Sequence, residues 1–273
     1  MTTSAGRPDG QALLGSSGDV TLGKWSARAI AALSLPYALT MALGFSSMGN
    51  LRDPLPDPYL AVAELLILLM APFMVTLMIA VHACAPTRFR ALSLAALGWM
   101  FLLAGVTMTV HFVELTFVRR INPADVPGFD RLLDFQWPSL LYAADIAAWD
   151  LFLGLALLCA APAFSGARHR WARRGLLVSG ALCLLGLVGP VFNVLAWRGI
   201  GIFGYAVVFP VTCLALSRAF ASTQRASAPL SPGLGPTRPG SRSAAGVDVE
   251  KRHVLLTAEA HSRTATTADA GRS

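Results

Sequence analysis

The chain has 273 residues, of which 55% are hydrophobic and 14% charged, and its mean hydropathy is +0.58. An ordinary water-soluble domain carries about 25% charged residues, so this composition argues first against a soluble enzyme. Collagen-like order fails because the 24 Gly and 17 Pro follow no three-residue period, and wholesale disorder fails because aliphatic residues abound. The formal charge is +7, and the basic residues sit between apolar runs and in the C-terminal stretch. There they read as topology signals, and no nucleic-acid partner is expected. Among the 22 basic residues only Lys24 and Lys251 are lysine. With so much Ala, Leu and Gly, that bias points to a bacterial chromosome of high GC content.

Residues 1–24 form a polar segment rich in Gly and Ser. It lacks the short apolar core and small-residue cleavage site of a removable signal peptide. Six apolar runs follow, at about 28–46, 59–83, 91–118, 139–161, 175–197 and 201–220. Each is near the roughly 20 residues that a helix needs to cross the hydrocarbon core. None alternates as a barrel strand does, and only helices and closed barrels satisfy their backbone in lipid. The predicted fold is all-α: a polytopic bundle of six transmembrane helices over residues 25–220. Pro36, Pro72, Pro190 and Pro210 each remove one helical hydrogen bond and should kink their spans. From Ala221 onward Ser, Pro, Ala, Gly and Arg dominate, and no aromatic residue follows Phe220. Residues 221–273 therefore read as a disordered basic tail.

Orientation follows from the flanks. Arg7, Lys24, Arg28, Arg88, Arg90, Arg168, Arg170, Arg173, Arg174, Arg218 and Arg225 fall on one side. Arg52, Arg119, Arg120, Arg131 and Arg198 fall on the other. The richer side is expected in the cytoplasm, with both termini, in a bacterial plasma membrane. Trp25, Trp137, Trp171 and Trp197 lie near span boundaries, as interfacial anchors do, while Trp99 and Trp149 lie deeper and read as core. The outer loop 119–138 carries Leu132, Leu133, Phe135 and Trp137 and is expected to lie along the interface. Cys84, Cys159, Cys183 and Cys213 share no metal-type spacing and read as buried thiols.

Ionisable residues inside apolar runs are costly and mark the first place to look for a site. His82 sits at the inner end of its run, where water is near, and is set aside; five lie deeper, Glu64, His111, Glu114, Asp145 and Asp150. At 1.5 Å per residue, Glu64 and Glu114 lie about 7 Å below the outer boundary, Asp145 about 9 Å, His111 about 12 Å and Asp150 about 16 Å. All fall in the outer half. Thr107, His111 and Glu114 share one face of the third span, and Tyr142, Asp145 and Trp149 one face of the fourth. Asp150 is set about 140° round the helix from Asp145 at 100° per residue, so the two point to different neighbours or flank one groove. Ser179, Cys183, Gly186, Pro190 and Asn193 form a small, polar stripe that permits close helix approach, and Asn193 is a candidate to join the cluster.

Three readings fit such a set. Gathered acids cannot all be ionised in a low dielectric, so the cluster would hold protons or a small cation, in a transporter or sensor. Imidazole and carboxylate also suit a divalent metal, which makes His111, Glu114 and Asp145 a candidate metal set in a membrane enzyme. Alternatively the acids pair with Arg119, Arg120 or the backbone and lock the helices of an accessory protein together. No Walker loop, dinucleotide fingerprint, zinc-protease motif or nucleophile elbow is present, so no cofactor is identified.

Overall fold

Six helices, each long and apolar enough to cross a membrane, organise the chain: α1 (Ser17–Ser47), α2 (Tyr59–Cys84), α3 (Thr87–Arg120), α4 (Leu140–Phe164), α5 (Ala167–Val191) and α6 (Arg198–Arg225). They come from a computed structural model that describes residues 15–49 and 55–227. Expectations for residues 1–14 and for the tail from 228 onward lie outside the described residues. Among those residues there is no strand.

Helix ends depart from the apolar runs where capping decides them. α1 begins at Ser17, well ahead of the apolar run, because Ser16 and Asp19 form a capping box. The Ser16 hydroxyl accepts the Asp19 N–H at 3.2 Å, and the Asp19 carboxylate accepts the Ser16 N–H at 3.0 Å. Polar residues 17–24 are thereby helical. α5 sits closer to the N-terminus than its apolar run, since the basic stretch Arg170–Arg174 winds into its first turns. It closes at Val191, just before Asn193, whose φ of 56° lies in the left-handed region. The final α-helical stretch runs to Ser227, past the expected tail boundary at 221.

Each helix packs on its chain neighbours, and α6 returns to α1, so the packing order closes on itself. Six alternating helices give two ends. One carries Lys24, Arg28, Arg88, Arg90 and the α5 arginines; we call it the cationic end. The other carries Asp57, Glu64, Glu114 and the 121–139 connection; we call it the acidic end. In the cationic half the interior is apolar, with Met74, Leu77, Met78, Met100, Leu157, Leu176 and Phe220 fully buried. The outer faces of the helices are apolar as well, with Leu35, Leu39, Leu69, Phe101 and Leu185 exposed. Trp25 and Trp171 are exposed, and each is flanked by cations. Lys24 and Arg28 lie 5.8 and 5.1 Å from the Trp25 ring; Arg170 and Arg174 lie 5.5 and 5.6 Å from the Trp171 ring. Trp99 stacks on Phe152 at 6.0 Å and Trp149 packs on Tyr205 at 5.2 Å, the core roles expected of them.

Two helices contain π turns, at Ala147–Phe152 in α4 and Gly204–Val208 in α6. In α4 the Leu153 N–H reaches the Ala148 carbonyl, and in α6 the Phe209 N–H reaches Gly204. Between them, α5 and α6 cross closely: a Cβ on Gly186 would fall 2.7 Å from Gly201 Cα. The Ser179 hydroxyl donates to the Gly204 carbonyl at 2.8 Å, fixing the same crossing. The small stripe on α5 thus lets helices approach, as its residues predict.

Candidate functional site

The five buried ionisable residues meet, and a sixth joins them. His111 Nδ1 lies 2.5 Å from Glu64 Oε2, and its Nε2 lies 3.3 Å from Asp145 Oδ1. The other Asp145 oxygen accepts Arg198 Nη2 at 3.3 Å. Arg198 Nε lies 3.7 Å from Asp150 Oδ2. Arg198 Nη1 donates to the Tyr142 hydroxyl, and the guanidinium sits 4.5 Å from the Tyr142 ring centroid. Glu64, His111, Asp145, Arg198 and Asp150 are all buried and make one line through α2, α3, α4 and α6. Tyr37 of α1 and Tyr205 of α6 lie within the fields of Asp145 and Arg198, so the line faces the interior of the bundle.

Glu114 is buried on the His111 side of this line, with Glu64 and His111 as its main charged neighbours. Its Oε2 has no hydrogen-bond partner, and neither carboxyl oxygen of Asp150 has one. Thr107 Oγ1, one turn from His111 toward the cationic end, is also buried without a hydrogen-bond partner. Four buried carboxyls thus face one guanidinium and one imidazole. Even with His111 protonated, two negative charges would be unmatched if every carboxyl were ionised. Burying an unpaired charge is costly enough that a proton or a cation must neutralise it.

The π turn explains how Asp145 and Asp150 serve one arginine. At 100° per residue they lie about 140° apart, which leaves them facing different neighbours or flanking one groove. A π turn closes hydrogen bonds five residues apart, which brings residues at that spacing round to one side. Both acids therefore flank Arg198. The backbone of α6 passes against Asp150 because Gly201 has no side chain; a Cβ there would lie 2.1 Å from Asp150 Oδ1.

Arg198 was read from the sequence as an outer-flank cation, and the structure turns it inward, 4% exposed. One signal pointed to it: it is the lone cation between Arg174 and Arg218. Other expectations need correction. Asn193 does not join the cluster; it is exposed and accepts the Trp137 indole N–H at 2.8 Å, tying the two outer connections together. Arg119 pairs with Asp57 at 2.5 Å rather than with Glu114 or Glu64. His111, Glu114 and Asp145 do not form a metal set. His111 Nδ1 meets Glu64, and its Nε2, which has no hydrogen-bond partner, lies 3.3 Å from Asp145 Oδ1. Among the described residues no group of three or more His, Cys, Asp or Glu is arranged to hold a metal ion.

The 121–139 connection roofs the site. Gly128, at φ 76°, starts a helical turn at Phe129–Leu132, and the chain then brings Phe135 inward. Its ring packs 5.9 Å from His111 and 5.2 Å from Tyr142. Neighbouring Asp134 accepts the Ser139 hydroxyl through its carbonyl. Partial burial and the Asp130 charge push the Asp134 carboxyl above its usual range, against the Phe135 N–H.

Beyond Thr107 the buried faces of α3 and α4 are apolar, while on α5 and α6 buried Ser179, Thr212 and Ser217 continue toward the cationic end. Along α3 the buried face runs through Leu103, Met100 and Ala96 before reaching Ser93, roughly 20 Å away at 1.5 Å per residue. Only there does a hydrogen-bonded pair return, Ser93 with His82 at 2.9 Å. On α4, Leu153, Ala156, Leu157 and Ala160 fill the same level. No family model, curated protein or solved structure matches the chain.

Proposed function

We propose that the chain is a multi-pass protein of a bacterial plasma membrane, with its cationic end in the cytoplasm, whose buried acid–histidine–arginine line binds protons or a small cation from the opposite side. The orientation rests on the excess of Arg and Lys at the cationic end, which the inward turn of Arg198 enlarges. Exposed Trp25 and Trp171 at one end and Trp197 at the other suit the two interfaces of a bilayer. The observation that carries the functional reading is the surplus of buried carboxyl groups, with Glu114 Oε2 and both Asp150 oxygens lacking hydrogen-bond partners, as do Asp145 Oδ1, His111 Nε2 and Arg198 Nε. Two such groups at the ends of a line with shared charges are what a site needs to exchange protons without unfolding. The apolar faces of α3 and α4 below Thr107 support access from one side, as in a sensor of outer proton or cation concentration, or in one state of a transporter.

A structural lock is the second reading, favoured by the way Arg198 ties α4 to α6. Thermal midpoints in detergent across about pH 5 to 8 separate the two, because linkage makes stability follow protonation. Under the proposal the wild-type midpoint moves with pH or with sodium, and Glu114→Gln and Asp150→Asn flatten that response while the chain stays folded. A wild-type curve that is flat with both pH and sodium, or unchanged curves in both variants, contradicts it and leaves the lock. Pyranine sealed inside proteoliposomes then separates a sensor from a transporter, since only the latter moves protons on an outer acid pulse.

A further inference from the structure

Two adjoining clefts at the cationic end take no part in the acid line. The first, about 540 Å³, lies between the start of α1 and the end of α6 and is lined by Ser17, Thr21, Trp25 and Gln224 among others. The second, about 370 Å³, runs between α1 and α2 along Ala29, Pro72 and Phe73. Leu22 and Trp25 line both, so the clefts meet at the exposed indole.

Their chemistry differs in a graded way. The first is polar, lined by Ser17, by Thr21, whose hydroxyl donates to the Ser17 carbonyl at 2.8 Å, and by Gln224, whose Nε2 donates to the Thr21 hydroxyl at 3.4 Å. Gln224 Oε1 accepts Lys24 Nζ at 3.1 Å, which brings the ammonium to the rim, and Arg28 lies over the Trp25 ring. The second cleft is apolar. Its two hydroxyls, Ser26 and Thr76, bond to each other at 2.9 Å, leaving Leu22, Ala29, the Pro72 ring and Phe73 as its walls. Asp19 is turned to the backbone and hydroxyl of Ser16.

We infer that the two clefts form one site for an anionic phospholipid, with the phosphate head in the first cleft near Lys24 and Arg28 and an acyl chain along the second. An amphiphile is the ligand whose polarity changes where the cleft lining does. Charge decides among amphiphiles: two cations bracket the junction, at the end of the bundle richest in them, and such residues favour anionic headgroups. The exposed indole at the meeting point suits the glycerol level, where Trp rings settle. The inference rests on the chain lying in a membrane, not on any role of the acid line.

Retention of added lipid by the purified full chain in native mass spectrometry tests it, with phosphatidylglycerol and phosphatidylcholine as probes. Phosphatidylglycerol is expected to be retained in preference to phosphatidylcholine. Replacing both Lys24 and Arg28 by Gln should weaken retention about thirtyfold. Ala29→Trp fills the apolar cleft while keeping indole and cations, and should abolish retention in a chain whose thermal midpoint is unchanged. Trp171→Ala is the control: that ring is flanked by cations in the same way but lines neither cleft, and its loss should leave retention intact. Equal retention of the two lipids, retention of neither, or a loss in Trp171→Ala as large as in Ala29→Trp overturns the inference.

Discussion

The two halves of the bundle place the same kinds of residue in opposite positions. In the cationic half most charges stand outside, stacked on exposed Trp25 and Trp171, and the interior is mainly Met, Leu and Phe with buried His169 and a few hydroxyls among them. In the acidic half the charges stand inside, and an apolar ring, Phe135, is folded over them. The first arrangement gives cohesion that rests mainly on apolar packing. The second gives cohesion that depends on the protonation of its members. The contrast assigns stability to one end and responsiveness to the other, and the substitutions below should separate the two.

The largest effect is expected at Arg198. Arg198→Met leaves Asp145 and Asp150 buried without their cation, and stripping one partner from a buried pair costs about 3–5 kcal/mol. Adding Asp150→Asn to that variant should recover part of the loss, as read from thermal or denaturant unfolding in detergent. If Arg198→Met unfolds no more easily than wild type, the line does not hold α4 to α6.

A deletion in the dry half should match it in size but not in character. Leu157 is fully buried there, and Leu157→Ala should cost about 2–5 kcal/mol through the cavity it leaves. That loss should be the same at every pH at which the wild type is folded. A pH-dependent loss would mean that the charged and apolar halves are coupled.

Smaller effects sharpen the contact between α4 and α6. Gly201→Ala forces a Cβ toward Asp150, where overpacking costs about 1–3 kcal/mol, whereas Gly98→Ala on the open face of α3 meets no atom within 4 Å. Gly98→Ala should be neutral or slightly stabilising, since Ala is the better helix former. Equal midpoints for the two variants would contradict the close passage of α6 over Asp150.

The smallest expected effect lies in the roof. The Asp134 carboxyl is raised above 3.8, so the folded chain holds that proton more tightly than the unfolded one. Its share of stability is full below that value and is lost as pH rises through the raised folded value. Asp134→Asn should remove this decline and shift the midpoint upward on its high-pH side. An unchanged profile would place Asp134 in water.

Much of this was legible because hydrocarbon-length runs and rare charges announce themselves. All six helices, the shared level of Glu64, His111, Glu114 and Asp145, and the small stripe on α5 follow from spacing alone. What was not legible depends on backbone departures from ideal geometry. Whether Asp145 and Asp150 face different neighbours or flank one groove stayed open, because an even 100° step cannot foresee a π turn. Arg198 was misread because an arginine at the edge of an apolar run looks like any other flank until the chain turns inward. Asn193 carries the same lesson in reverse: its left-handed φ directs it to Trp137 and away from the cluster. The start of α1 depended on a capping box ahead of the apolar run, where hydropathy gives no signal.

The central claim is that the buried carboxyls exchange protons with the acidic end alone. Infrared difference spectra of the protonated-carboxyl band test it in membrane vesicles of the two orientations, each given a step in outer pH. The account expects the band to change promptly in vesicles whose acidic end faces outward, to lag in inverted vesicles until the lumen equilibrates, and to shrink in Glu114→Gln and Asp150→Asn. Equal, prompt responses in both orientations would contradict it.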